Sequence, residues 1–194
     1  GLDAVIDGEA HPPPPPLLTA VAGFFANRTL VLTAVSSGLS AFVGYAGLVW
    51  NLQFLENVKH MSEGDVAVYY ALVLGVTGVI GTFGAGWLVD RLGAKDRRWF
   101  AWVPAIAFTV SIPFWLGLLW APTWQLAMLF MAGPQLLNNM YLAPALTVAQ
   151  NAVSPARRTI TGAILLFVLN LVGLGAGPVY VGWVADRMAP AHGE

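Results

Sequence analysis

Five stretches of this chain, roughly residues 29–54, 66–89, 99–120, 123–149 and 158–183, each run for more than twenty residues with almost no charge. Crossing about 30 Å of hydrocarbon takes about 20 helical residues. In lipid, backbone polar groups are satisfied only within helices or closed barrels. Stretches of this length and apolarity therefore predict an all-α membrane protein, a polytopic helix bundle. The composition agrees, because 10% of the 194 residues are charged against about 25% in a soluble domain. Nineteen Asp, Glu, Lys and Arg side chains cannot coat a soluble globule, whose surface is where charge belongs. The chain holds no cysteine, which removes disulfide scaffolds, thiol nucleophiles and thiolate metal sites. Its net charge of −1 leaves no basic face for nucleic acid.

The breaks between the stretches carry helix punctuation. Ser62 stands three residues before Asp65, a capping-box-like start for the second span. Thr123 follows Pro122 and can cap the fourth, and Ser154-Pro155 offers a cap with proline at the first helical position for the fifth. Pro104, Pro113, Pro134, Pro144 and Pro178 fall inside spans, where neighbouring helices tolerate the kinks. Residues 1–27 read differently from the rest. Asp3, Asp7 and Glu9 precede a run of prolines, Pro12 to Pro16, which favours an extended, solvated linker. Leu17 to Ala26 is apolar, but acidic rather than basic residues precede it, so it reads as an interfacial lead-in and not as a signal peptide. The start at Gly1 instead of Met suggests a fragment or a processed product, with a bundle of five spans over residues 28–194.

Basic residues orient the bundle. Arg28, Arg91, Lys95, Arg97, Arg98, Arg157 and Arg158 fall on one side, and only Lys59 and Arg187 on the other. The rule places the amino terminus and both basic loops in the cytoplasm, as in a plasma (inner) membrane protein. Five spans then bring the carboxy end out on the far face, which suggests that a last returning helix is missing.

Two motifs stand out. The loop after the second span reads Gly86-Trp-Leu-Val-Asp90-Arg91-Leu-Gly93-Ala-Lys95-Asp-Arg97-Arg98. A plain basic loop needs the Arg and Lys but not Gly86, Asp90 and Gly93 at these spacings. It resembles the G-x-x-x-D-R-x-G-R-R/K loop signature of the major facilitator superfamily of secondary transporters, with Ala94 and Asp96 as departures. The resemblance implies half of a major-facilitator fold, with Gly86, Asp90, Arg91, Gly93 and Arg97 as a conformational latch. In it Gly86 would admit a neighbouring helix, and Asp90 would pair with a basic residue or helix amino terminus of the adjacent bundle. The fifth span carries Gly173, Gly177 and Pro178, a small-x-x-x-small face for close helix approach followed by a bend. This looks like the glycine–proline motif of the superfamily's fifth or eleventh helix. Gly75, Gly78, Gly81 and Gly84 repeat at intervals of three in the second span and predict packing.

Several stretches resemble the Spinster-type branch: Gly44-Tyr45, Tyr141-Leu142-Ala143-Pro144 leading to Gln150-Asn151, and Ile164 to Pro178. That likeness covers about residues 28–187 and implies lipid-like or amphiphilic cargo. It would make the chain spans seven to eleven of twelve, with the first half and the last helix of the same protein as its missing partners. The halves of such transporters are related repeats, so the first half would also suit. The acidic, proline-rich start favours the second.

Polar residues at membrane depth mark a pathway or interhelical hydrogen bonds. Gln135, Asn138, Asn139 and Leu142 fall at i, i+3, i+4 and i+7 of the fourth span, with Tyr141 nearby. Asn170 lies mid-way along the fifth, and Tyr45, Asn51 and Gln53 lie on the first. In the superfamily the first and fourth helices of each half line the central cavity, so Tyr45, Asn51, Gln135, Asn138, Asn139, Tyr141 and Asn170 are candidate cavity residues for a small-molecule or amphiphilic substrate. No Asp, Glu, His or Lys lies near the middle of a span, so a coupling carboxylate is expected outside this segment. No catalytic motif, metal-ligand cluster or cofactor loop is present. An enzyme is not expected. The rival is a non-transporting membrane scaffold or receptor-like bundle, which would keep the glycines and basic loops without a solvated cavity.

Overall fold

Apolar stretches this long fold as helices because lipid offers backbone groups no other partners. The computed structural model describes residues 16–192, and the helices are α1 (Leu17–Ala26), α2 (Arg28–Asn57), α3 (Glu63–Gly93), α4 (Trp99–Trp120), α5 (Trp124–Asn138), α6 (Leu142–Asn151) and α7 (Arg158–His192). Short 3-10 turns at Asn139–Tyr141 and Pro155–Arg157 precede α6 and α7. Among the described residues there is no strand. The acidic and proline-rich opening, up to residue 15, lies outside the described residues. Four helical runs are long and apolar enough to cross a membrane: α2, α3, α4 and Pro155–Met188, which holds most of α7.

Caps set the boundaries. The Ser62 hydroxyl accepts from the Asp65 amide at 3.2 Å and donates to the Asp65 carboxylate at 2.8 Å, which starts α3. Thr123 accepts from the Leu126 amide at 3.4 Å at the head of α5. Ser154 departs from expectation. Its side chain makes no cap bond; a 3-10 turn intervenes, closed by Arg157 N–H to Ser154 C=O at 2.9 Å. The α2 cap is one the sequence reading missed: Asn27 Oδ1 accepts from the Thr29 amide at 3.0 Å. Asn27 is also the one extended residue between α1 and α2, so α1 is a separate helix at an angle to α2 rather than its continuation.

The stretch expected as one helix at 123–149 is two helices joined by the 3-10 turn. Pro144 has no N–H to give to the Met140 carbonyl, and its ring crowds that carbonyl. One turn back, the Asn139 side chain donates to the Gln135 carbonyl at 2.7 Å. Between these two positions the chain takes 3-10 geometry.

Close helix pairs hold the bundle, and most rest on glycine. A Cβ on Gly173 would stand 2.8 Å from Ala41 Cβ and 2.6 Å from the Tyr45 ring. One on Gly177 would stand 2.7 Å from the Phe42 carbonyl oxygen. So α7 lies directly on the backbone of α2, and the Trp50 indole N–H donates to the Pro178 carbonyl across the pair at 3.3 Å. Phe130 covers Gly117 while Phe114 covers Gly133, locking α4 and α5 reciprocally. Gly81 sits on the Leu136 carbonyl of α5. Gly75, Gly78 and Gly84, read from sequence as packing glycines, meet no neighbour within 4 Å.

One buried cluster, with Phe24, Leu30, Ala149, Leu165 and Leu169, joins α1, α2, α6 and α7. A second, with Leu55, Val66, Leu118, Met128 and Met131, joins α2, α3, α4 and α5 toward the opposite end. The remaining apolar side chains face outward, Phe83 at 74% and Trp120 at 79% exposure among them, as suits lipid rather than water. Aromatic residues ring both ends, as interfacial belts do. Arg91 lies over Trp87 at 5.5 Å and Arg187 over Trp183 at 4.1 Å. At the second end the Lys59 ammonium also donates to the Ala121 carbonyl, 2.6 Å away, at the α4 terminus.

The α2–α7 seat has a direct test. Gly177→Leu should destabilise the chain by about 1–3 kcal/mol through overpacking, while Gly175→Leu, whose Cβ position is open, should change stability little. Thermal unfolding of the two purified variants in detergent makes the comparison.

Candidate functional site

The polar residues within the bundle fall into two groups on different faces. Tyr45 of α2 and Asn170 of α7 come together because Gly173, one turn beyond Asn170, lets the helices touch. The Tyr45 hydroxyl donates to Asn170 Oδ1 at 2.9 Å, and Asn170 Nδ2 donates to the Leu166 carbonyl at 2.8 Å. Asn170 is exposed and Tyr45 half-buried. Tyr141, from the 3-10 turn, packs with Tyr45 against the first buried cluster. Tyr45 and Asn170 place a hydroxyl and an amide mid-way along otherwise apolar helices, and Tyr141 adds a second hydroxyl from the turn, where it also lines the groove between α2, α4 and α6.

Asn51, Gln135 and Asn138 go elsewhere. They line an internal cavity of about 50 Å³ between α2, α4 and α5, together with Ser111 and Trp115. Asn51 is 6% exposed and Gln135 8%. Tyr70 of α3 closes the group: its hydroxyl donates to the Leu48 carbonyl at 3.1 Å and accepts from Gln135 Nε2 at 3.4 Å. Asn138 lies against Gly44, where a Cβ would collide with its amide. Asn51 Nδ2 and Asn138 Oδ1 are buried without protein partners. One is a donor and the other an acceptor, the complement a water molecule provides, and the cavity has room for about one or two. Tyr70 and Ser111 were not singled out in the sequence, where nothing separates them from other tyrosines and serines of the spans. Asn139 joins neither group. Its amide bonds to its own helix, and it stands against Gly81 of α3. Helical spacing put Gln135, Asn138 and Asn139 on one face; Gln135 and Asn138 do share the cavity, and Asn139 alone is set apart, against Gly81.

The loop motif is spread around a second space. Asp90, Gly93 and Arg97 line a cavity of about 730 Å³ with Thr29 and Asn151. Gly93 is covered by the Phe100 ring, where a Cβ would stand 2.6 Å away. Arg91 points away onto Trp87. Gly86 meets nothing within 4 Å, so the close approach expected of it involves no helix among the described residues. Arg97 also reaches a mostly apolar groove of about 650 Å³ along α2, α4 and α6, floored by small side chains such as Ser36, Ser37 and Ala101. Among the described residues no group of three His, Cys, Asp or Glu side chains is placed to hold a metal ion.

The Tyr45–Asn170 bond should behave as a membrane hydrogen bond. A double-mutant cycle of Tyr45→Phe with Asn170→Leu, read by reversible denaturation in mixed micelles, should give a coupling of about 0.6 kcal/mol. The same cycle with Asn51→Leu should give none.

No protein-family profile matches the chain. It is 33% identical over 159 residues to an MFS-type efflux pump of Mycolicibacterium smegmatis, a match covering 82% of this chain and 37% of the pump. Among solved structures it is similar to a bacterial homologue of the human lysosomal transporter Spinster, crystallised inward-facing and unoccupied. The TM-score is 0.79 with 26% sequence identity, over 88% of this chain and 36% of that one. The chain thus spans little more than a third of either relative. With its long apolar helices, these likenesses make it an integral membrane protein: the chain belongs to the major facilitator superfamily, as a segment of the Spinster-like kind.

Proposed function

We propose that this chain is part of a secondary active transporter that moves a small organic or amphiphilic, lipid-like solute by alternating access. The observation that carries the reading is the Tyr45–Asn170 pair. A scaffold would gain the interhelical bond but has no need of it on an exposed, mid-helix face, whereas a solute pathway needs polar groups there. The inner amide group would then support the wall from behind instead of touching solute. The transporter likeness of the two relatives supports the same assignment.

In this reading the chain contributes five spans: α2, α3, α4, the broken pair α5–α6, and α7. These are spans seven to eleven, in a plasma (inner) membrane with the amino terminus cytoplasmic. Seven basic residues, Arg28 through Arg158, stand at one end of the bundle, and Lys59 and Arg187 at the other, which supports that orientation. The relatives extend well beyond the matched segment. The groove along α2, α4 and α6, with its floor of small side chains, would seat one further apolar helix. Inverted repeats place the sixth helix of such a half against the first as the third lies on the fourth, here α4 on α5. No carboxylate lies at mid-helix depth in the spans, so coupling chemistry belongs to the other half.

Asp90 would act as the latch. It is exposed at the mouth of the 730 Å³ cavity, free to meet a helix amino terminus or a basic residue of the opposite half. In the full-length protein, Asp90→Asn should preserve expression and shift the inward/outward balance by about 1–3 kcal/mol, the usual scale of coupling between conformational states. Single cysteines at Asn170 and Tyr45 read that balance: each should label from one side in one state and from the other side in the other. Labelling unaffected by Asp90→Asn removes the latch role, and inaccessibility of both cysteines from either side supports the scaffold reading.

A further inference from the structure

Helix α1 has an unusual setting. LLTAVAGFFA contains no charged residue. Ala20 and Phe24 are buried in the cluster that joins α1 to α2, α6 and α7. The other side carries an apolar, uncovered edge: Leu18 is 83% exposed and Phe25 56%, with Ala22 exposed beside them, and Leu17 is 66% exposed at the helix start. The single extended residue Asn27 turns the chain between α1 and α2. The helix is therefore a short lateral element at the end of the bundle, too short at 10 residues to span.

Basic groups stand directly beside it. Arg157 Nη1 lies 3.9 Å from the Cβ position of Gly23, which holds a guanidinium over the small-residue side of α1. Arg158 begins α7 and Arg28 begins α2, the two helices that α1 packs against. All three arginines are exposed. The carboxylates nearest in the fold are Asp90, which opens with Arg97 and Thr29 into the 730 Å³ cavity, and Asp96, which caps the next loop through the Arg98 amide at 2.9 Å. Glu56, Glu63, Asp65 and Asp186 belong to the opposite end.

We propose that α1 and Arg28, Arg157 and Arg158 form a docking site for an anionic phospholipid of the leaflet that the basic loops face. The lipid phosphate sits on the Arg157 and Arg158 guanidinium groups, with Arg28 alongside, and its acyl chains lie against Leu17, Leu18, Ala22 and Phe25. The charge complementarity calls for an anion, and guanidinium forks suit phosphate oxygens. The uncharged apolar edge calls for an acyl chain beside that anion, which a soluble phosphate would not need. Such pairing of an immersed apolar edge with interfacial cations is how short helices lie on a bilayer. Arg157 does two things at once in this arrangement: it covers α1 and presents its charge to the headgroup.

The chain has no cysteine, so Ala22→Cys carries a single environment-sensitive fluorophore. The labelled full chain, in which Asp3, Asp7 and Glu9 remain to compete for the arginines, is reconstituted in phosphatidylcholine vesicles. These contain equal small fractions of doxyl-labelled phosphatidylglycerol or doxyl-labelled phosphatidylcholine. The phosphatidylglycerol quencher should associate more tightly by about fivefold per engaged arginine. Arg157→Gln with Arg158→Gln should erase that preference, Arg157→Lys should retain most of it, and Leu18→Ser with Phe25→Ser should weaken quenching by both lipids. Millimolar inorganic phosphate should leave the preference intact. Equal quenching by the two lipids, a preference indifferent to the arginine pair, or loss of the preference to soluble phosphate would each overturn the proposal. So would absence of quenching by either lipid.

Discussion

The architecture depends on the seat of α7 on α2. In lipid, helices gain nothing from hiding apolar surface from one another, because the tails outside are equally apolar. Association has to come from close contact and from polar groups that meet across it. Gly173 and Gly177 permit both. They bring α7 onto the carbonyl of Phe42 and the methyl of Ala41, and at that distance the Tyr45 hydroxyl reaches Asn170 and the Trp50 indole reaches the Pro178 carbonyl. The same contact places the starts of α2 and α7 side by side, so Arg28 and Arg158 flank α1. A wider α2–α7 spacing would lose the open polar pair and the basic end together.

Around that seat the bundle separates two kinds of polarity. The inner group of Asn51, Tyr70, Gln135 and Asn138 is enclosed, and its hydroxyl and one amide are spent on protein acceptors. Enclosure makes such groups costly unless they are satisfied, which ties α2, α3 and α5 to one another with little freedom to slide. The outer group of Tyr45, Tyr141 and Asn170 is only partly enclosed.

The 3-10 turn between α5 and α6 lies where these two groups meet. It follows Asn138, contains Tyr141, and precedes Pro144. Asn138, the last residue of α5, lies against Gly44, Asn139 against Gly81, and Tyr141 packs beside Tyr45. Successive helical residues point about 100° apart, so neighbours in sequence here meet different surfaces.

The sequence by itself determined that the chain is helical and lies in a membrane, because twenty-odd uncharged residues in a row leave the backbone no other way to satisfy itself. It also determined the helix starts at Ser62 and Thr123, since a cap is a local contact within one turn, and the family likeness, since the Asp90 loop and the Gly-Pro pair are local patterns. Other features belong to tertiary structure. Which glycines seat a helix depends on what stands opposite: Gly81, Gly173 and Gly177 meet a backbone, and Gly75, Gly84 and Gly86 meet none. Which amides line the inner cavity depends on which helices stand opposite them, and no periodicity carries that information. The partnership of Arg157 with α1 joins residues more than 130 positions apart. Charge, apolarity and caps are properties of a residue and its near neighbours, whereas a surface is made only when distant segments meet.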